Sequence, residues 1–139
     1  IADPGNILVK WAHQNQISVI PLVGPSSILL TLMASGLNGQ QFTFHGYLPI
    51  DPAKRRQKVI ELEKHSKSTG FAQVFIETPY RNTALFQDIL FTLHPETLLC
   101  IGVDLTAADG YVQTQKIKDW KSLKPDLHKK NVLFIIQSN

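Results

Sequence analysis

Between Phe42 and Val103 the sequence alternates short apolar runs with longer stretches of helical periodicity, and this alternation most constrains what the chain can fold into. Phe42 to Leu48, Phe71 to Ile76 and Thr97 to Val103 read as strands. Phe71 to Ile76 is almost continuously apolar, as expected of a strand with helices over both faces. Between the strands, Asp51-Pro52 caps a basic helix reaching about Lys67. Thr78-Pro79 repeats that signature before a stretch in which Leu85, Phe86, Ile89, Leu90 and Leu93 share one helical stripe. Val112 to Ile117 and Val132 to Gln137 read as a closing pair of strands, joined by a lysine-rich connection that carries Trp120. The predicted class is α/β, with a mainly parallel mixed sheet and antiparallel edge strands.

Upstream the pattern restarts. Asp3 is a good N-cap with Pro4 behind it, and Ile7, Leu8, Trp11 and Ala12 recur at helical spacing. Ile17 to Leu22 reads as a buried strand closed by a Gly24-Pro25 turn, and Ser26 to Ser35 as a second apolar helix ending at Gly36. The polar stretch Leu37 to Gln41 separates the two parts. Residues 1–40 are therefore expected to be the helix-strand-helix tail of a first α/β domain, and 41–139 a second α/β domain. The opening at Ile1, with a helix start directly behind it, is read as a segment of a longer protein.

Composition narrows the function classes. Hydrophobic residues make up 43% of 139 residues, a globular balance, and no apolar run approaches the roughly 20 residues that span a bilayer. Ile1-Ala2-Asp3-Pro4 supplies neither the basic nor the apolar part of a signal peptide. The single cysteine, Cys100, lies in an apolar run and reads as a small core residue in a reducing, cytoplasmic setting. The five histidines are scattered without ligand spacing, so no metal is expected. The net charge of +3 is unevenly spread. Asp51 to Lys67 holds six basic residues against three acids, and Lys116 to Lys130 holds six lysines against two aspartates. In the first cluster, Lys54, Arg55, Arg56 and Lys58 are candidates for a phosphate path, weighed against a solvated helix face.

In open α/β sheets ligands bind beyond the carboxyl ends of the strands. Three segments fall there: Gly24-Pro25-Ser26-Ser27, Glu77-Thr78-Pro79-Tyr80-Arg81 and Asp104-Leu105-Thr106. Glu77 ends a buried strand, where a lone carboxylate is costly, and Arg81 falls where a helix dipole disfavours a cation. Pairing with each other and contact with a ligand carry equal weight and are compatible. No Gly-rich phosphate loop, Ser-His-Asp set or Cys-His pair can be read.

Taken in order, Ala2-Asp3-Pro4-Gly5-Asn6-Ile7-Leu8-Val9, Pro21-Leu22-Val23-Gly24-Pro25-Ser26-Ser27, Phe44-His45-Gly46-Tyr47-Leu48-Pro49 and Phe75-Ile76-Glu77-Thr78-Pro79-Tyr80-Arg81 resemble the tetrapyrrole-methylase superfamily. Within it, the chain is most similar to the branch of ribosomal RNA small-subunit methyltransferase I, which methylates a cytidine ribose 2′-hydroxyl. The resemblance implies an S-adenosylmethionine-dependent methyltransferase with the cofactor in a cleft between two domains. It also implies ribosomal RNA as partner, no membrane, and leaves a homodimer open. By motif position, Ala2, Ser26, Ser27, Glu77, Leu105 and Thr106 are the implied cofactor contacts, with Asp3, Gly24, Pro25 and Arg81 in support. Two features depart from the pattern. The family's Gly-rich loop would precede Ile1, and Asp104-Leu105-Thr106-Ala107-Ala108-Asp109 lacks the lysine usual in the RNA branch. No general base is named by the motifs. Two alternatives stand beside the RNA enzyme: methylation of a tetrapyrrole-like small molecule, and a non-catalytic relative that binds RNA or a partner.

Overall fold

The structure, a computed structural model, describes residues 4–138. In chain order its elements are α1 (Asn6–Gln14), α2 (Ser27–Ser35), β1 (Phe42–Tyr47), α3 (Pro52–Thr69), β2 (Ala72–Ile76), α4 (Asn82–Thr92), β3 (Leu98–Val103), β4 (Tyr111–Lys116), α5 (Ile117–Trp120) and β5 (Val132–Gln137). None of the described helices is long and apolar enough to cross a membrane.

The five strands form one mixed sheet in the order β1-β2-β5-β3-β4. β1 and β2 pair in parallel, whereas β2–β5, β5–β3 and β3–β4 are antiparallel. The α/β class and the mixed sheet are as expected, but the predominance of parallel pairing is not. The helical crossovers do give β1, β2 and β3 a common direction. The final strand then inserts between β2 and β3 instead of pairing with β4, which turns both central contacts antiparallel. Val132 to Gln137 is apolar at nearly every position because it occupies that central slot, with Phe134 and Ile136 facing one layer and Leu133 and Ile135 the other.

One face of the sheet is covered by α3, α4 and α5. On α3, Arg55, Val59, Leu62 and Ser66 are buried at helical spacing. Asp51 caps this helix by accepting the Lys54 N–H at 2.9 Å, and Gly70 ends it in the left-handed conformation that costs glycine little. α4 buries the predicted Leu85, Phe86, Ile89 and Leu90, with Leu93 just beyond it. Phe86 meets Trp120 edge to face at 5.5 Å, and the Trp120 indole N–H donates to the Leu99 carbonyl at 2.8 Å. The start of α4 differs from expectation. Thr78-Pro79 does not cap it; the Arg81 N–H closes a turn onto the Thr78 carbonyl, and the helix begins at Asn82.

The second face is covered not by a crossover helix but by α2. Ile28 and Leu32 pack on Val74, Cys100, Leu133 and Ile135. The Thr114 hydroxyl donates to the Ser35 carbonyl at 2.7 Å, and the Asn38 N–H donates to Gln137 Oε1 at 2.8 Å. α2 approaches so closely that Gly102 lies against Thr31: a Cβ on Gly102 would meet Thr31 Oγ1 at 2.2 Å.

Upstream of α2 two expectations change. α1 starts at Asn6 with Gly5 as N-cap, and Pro4 stands in the turn before it; Asp3 lies outside the described residues. Ile17 to Leu22 forms no strand, and Ile17, Ile20 and Leu22 are largely exposed. A strand needs a neighbouring edge to bond, and neither edge strand, β1 or β4, pairs with this segment.

Candidate functional site

A cleft of about 570 Å3 opens at the carboxyl ends of β1, β2 and β3, where β5 begins. Its position follows from the common direction of those three strands. Each contributes the residues at its end. β1 delivers Tyr47: the pairing with β2 shifts register between Phe44 and Tyr47, at Gly46, whose φ of 65° suits a bulge. β2 delivers Ile76 and Glu77, and β3 delivers Gly102 followed by the loop Asp104 to Ala107. Ser27, at the start of α2, faces the cleft from the second layer.

Glu77 is the site's main electrostatic feature. Its side chain is fully buried. Oε1 accepts from the Thr78 N–H at 2.7 Å and from Arg81 Nη2 at 2.7 Å. That bond, ahead of the general attraction of the carboxylate, holds the Arg81 guanidinium above its ordinary pKa. The second oxygen, Oε2, is buried and has no hydrogen-bond partner among the described residues. A buried acceptor left unmade costs about 1–3 kcal/mol. The ion pair weighed from the sequence therefore forms, and it leaves one acceptor over beside the cleft.

The loop after β3 is held in an unusual shape. Asp104 and Thr106 have φ of 42° and 80°, a region that non-glycine residues seldom occupy. The surrounding bonds enforce it. Asp104 exchanges two bonds with Asn131: its N–H donates to the Asn131 carbonyl at 2.9 Å, and its Oδ1 accepts the Asn131 N–H at 2.8 Å. Lys130 Nζ lies 3.3 Å from both Asp104 Oδ2 and Asp109 Oδ2. Its bonds to Asp109 and then Asp104 raise the lysine pKa, and the Asp109 carboxyl is correspondingly lowered.

The cleft thus gathers four of the six implied cofactor contacts, Ser27, Glu77, Leu105 and Thr106, with Arg81 behind Glu77. Gly24, Pro25 and Ser26 do not line it. The extended Ser26 instead precedes α2 as its N-cap, without a side-chain capping bond. Ala2 and Asp3 lie outside the described residues. Asn131, Val132 and Leu133 also line the cleft and were not expected, because their position depends on where β5 inserts. Tyr47 was missed as well, although Gly46 inside a strand is a sequence signal for a bulge.

Three of the four candidate phosphate-path cations on α3 are engaged by carboxylates of the chain itself. Arg55 is only 4% exposed, and its guanidinium bonds Asp88 at 2.6 Å and the Ile50 carbonyl at 3.1 Å. Arg56 shares Asp88 at 3.1 Å, and Lys58 lies 3.4 Å from Glu61. Arg55 ties α3 to α4 and faces no solvent, a placement fixed by its position in the buried stripe. Lys54 is exposed.

Solved methyltransferase structures share this fold. The methyltransferase CobJ superposes with a TM-score of 0.58 at 15% identity, over 96% of this chain and 56% of that one. A putative diphthine synthase from Entamoeba histolytica gives 0.60 at 12% identity, over 98% and 60%. These likenesses concern the fold. In sequence, the chain is 36% identical over 113 residues to ribosomal RNA small subunit methyltransferase I of Vibrio cholerae, covering 81% of this chain and 38% of that protein. It is 30% identical over 139 residues to the protein of the same name from Buchnera aphidicola, covering 98% and 47%. The chain belongs to the family of proteins named ribosomal RNA small subunit methyltransferase I. It spans less than half the length of those two relatives. No family model matches it.

Proposed function

We propose that this chain is part of an S-adenosylmethionine-dependent methyltransferase acting on ribosomal RNA in the cytoplasm, and that its cleft forms one wall of the cofactor site. The observation that carries the reading is the convergence of Ser27, Glu77, Leu105 and Thr106, from three separate segments, on one cleft. The residues present fit an adenosyl group. Ile76, Leu105, Val132 and Leu133 offer apolar walls, and the loop backbone at 104–107 offers polar groups. Glu77 Oε2, an acceptor without a partner among the described residues, is able to accept a hydrogen bond from a hydroxyl or amino group. Ser27 and the first-turn N–H groups of α2 suit a carboxylate. The bound cofactor would supply a methyl group on a sulfonium, a good leaving group. The chain's own task is then alignment and exclusion of water more than acid–base work.

In this reading residues 1–40 are the end of one domain and 41–139 a second, with the remaining cofactor contacts outside this chain. Calorimetric titration of S-adenosylmethionine into the chain and into the protein at the length of its relatives tests this, with methyl transfer to ribosomal RNA assayed in parallel. We expect tight binding and transfer at full length, and weak binding without transfer by the chain alone. Equal affinities would place the whole cofactor site within these 139 residues and overturn the division. No binding by either would overturn the cofactor reading, and binding without transfer would favour the non-catalytic relative.

A further inference from the structure

The two basic segments differ in what their charges do. On α3, three of the four candidate cations are engaged by Asp88 or Glu61. From the end of β4 to the start of β5, Lys116 and Lys118 pair with Glu96, and Lys130 with Asp104 and Asp109. Lys121, Lys124 and Lys129 are exposed, and none appears in an ion pair among the described residues. The course of this segment gives the three a direction. Lys116 lies opposite Leu98 at the start of β3, and Val132 opposite Val103 at its end. The connection between them therefore runs the length of the sheet and arrives at the cleft.

At that end it meets the turn after β2. The Lys129 N–H donates to the Pro79 carbonyl at 3.2 Å, and Pro79 lines the cleft. The His128 ring stands edge to face with Tyr80 at 6.4 Å, while Asp126 accepts the His128 backbone N–H. Tyr80 is nevertheless 73% exposed. A large aromatic ring is thus held at the rim of the cleft by a bonded turn, with solvent over most of its surface and Lys129, without an ion pair among the described residues, beside it.

We propose that this rim is a platform for single-stranded RNA, with one base lying on the Tyr80 ring beside His128 and the adjoining phosphates following Lys129, Lys124 and Lys121. The substrate class rests on the methyltransferase reading above. An exposed ring next to a line of cations is the pairing that single-strand binding uses: stacking supplies affinity with little sequence preference, and the lysines track the backbone. An acidic peptide would engage the lysines but leave Tyr80 without a role. The platform would bring the strand to the mouth of the cleft, where a nucleotide has to enter to reach a methyl group.

Fluorescence anisotropy of a short labelled single-stranded RNA with the full chain, across a range of salt, tests the proposal, with a labelled polyglutamate peptide as the comparison. Tyr80→Ala should weaken RNA binding about tenfold, and Tyr80→Phe should retain it. Replacing Lys121, Lys124 and Lys129 together by Gln should reduce the slope of log K against log salt by about 2, from three phosphate contacts at roughly 0.7 each. Parental affinity and slope in both variants would overturn the proposal, as would a parent that binds no RNA. So would polyglutamate binding as tightly as RNA with no response to Tyr80→Ala. Cofactor titration separates this test from that of the enzyme: RNA binding that responds to Tyr80 in a protein without cofactor affinity would retire the methyltransferase reading and leave the platform standing.

Discussion

Glu77 illustrates how a single residue combines a fold role with a site role. One oxygen is spent on Arg81 and the Thr78 N–H, and the other, buried beside the cleft, has no partner among the described residues. Glu77→Gln keeps the shape and removes the charge that Arg81 faces. It should weaken cofactor binding, read by calorimetry, and lower the thermal midpoint; unchanged cofactor affinity would confine Glu77 to the ion pair. Gly102 makes a different demand, for space. With Thr31 fully buried against it, Gly102→Ala should destabilise by about 1–3 kcal/mol in urea unfolding, the usual range for overpacking. Thr31→Ala in the same chain should recover part of that loss, because it removes the crowding methyl and a buried hydroxyl that has no partner among the described residues. Cys100 is fully enclosed, and burial pushes its thiol from the ordinary 9.0 to about 11. It should resist thiol reagents at pH 8 until the chain unfolds; rapid labelling of the native protein would contradict its place in the core.

At the scale of elements, the helix pair α3–α4 is joined by the buried contact of Arg55 with Asp88, whose side chains are 5% and 14% exposed. Asp88→Asn strands the arginine charge and should cost about 3–5 kcal/mol of unfolding free energy. Exchanging both for apolar residues of similar volume should recover most of it; a loss as large as that of the single variant would mean the pair is needed for packing rather than charge. The loop after β3 depends on a more exposed clamp. Lys130→Met removes the link between Asp104 and Asp109 and frees a segment whose φ angles are otherwise disfavoured. Cofactor affinity should fall with little change in thermal midpoint, since the loop lines the cleft but carries none of the main core.

At the scale of the whole molecule, the end of the sheet away from the cleft is tied by Glu96 to Lys116 and Lys118, bringing together the loop before β3, the end of β4 and α5. The bonds from Lys116 and then Lys118 lower the Glu96 carboxyl from its ordinary 4.5 to about 2. A depressed folded pKa stabilises fully above the ordinary value, and the stabilisation is lost as pH falls from 4.5 towards 2. Unfolding free energy should therefore drop less steeply across that window in Glu96→Gln than in the parent, and the difference should shrink in high salt because the pair is exposed. Parallel curves would show that the pair does not persist in solution.

Much of this architecture was legible along the chain, because what it depends on is local. The stripe Leu85, Phe86, Ile89, Leu90 and the cap at Asp51 are set by residues a few positions apart, and so are the apolar runs of β2, β3 and β5. The sequence also pointed to Glu77, Leu105 and Thr106, since a strand end followed by polar residues marks a sheet's ligand edge. It could not show which strand lies beside which. A continuous apolar run reports burial on both faces and says nothing of its neighbours, so the slot of β5 between β2 and β3, and with it Asn131 to Leu133 in the cleft, was decided only in three dimensions. The same holds for Arg55, which reads as one more surface cation until α3 settles on α4, and for Ile17 to Leu22, whose pattern suits a strand but which lies unpaired, because a strand exists only where another edge meets its hydrogen bonds.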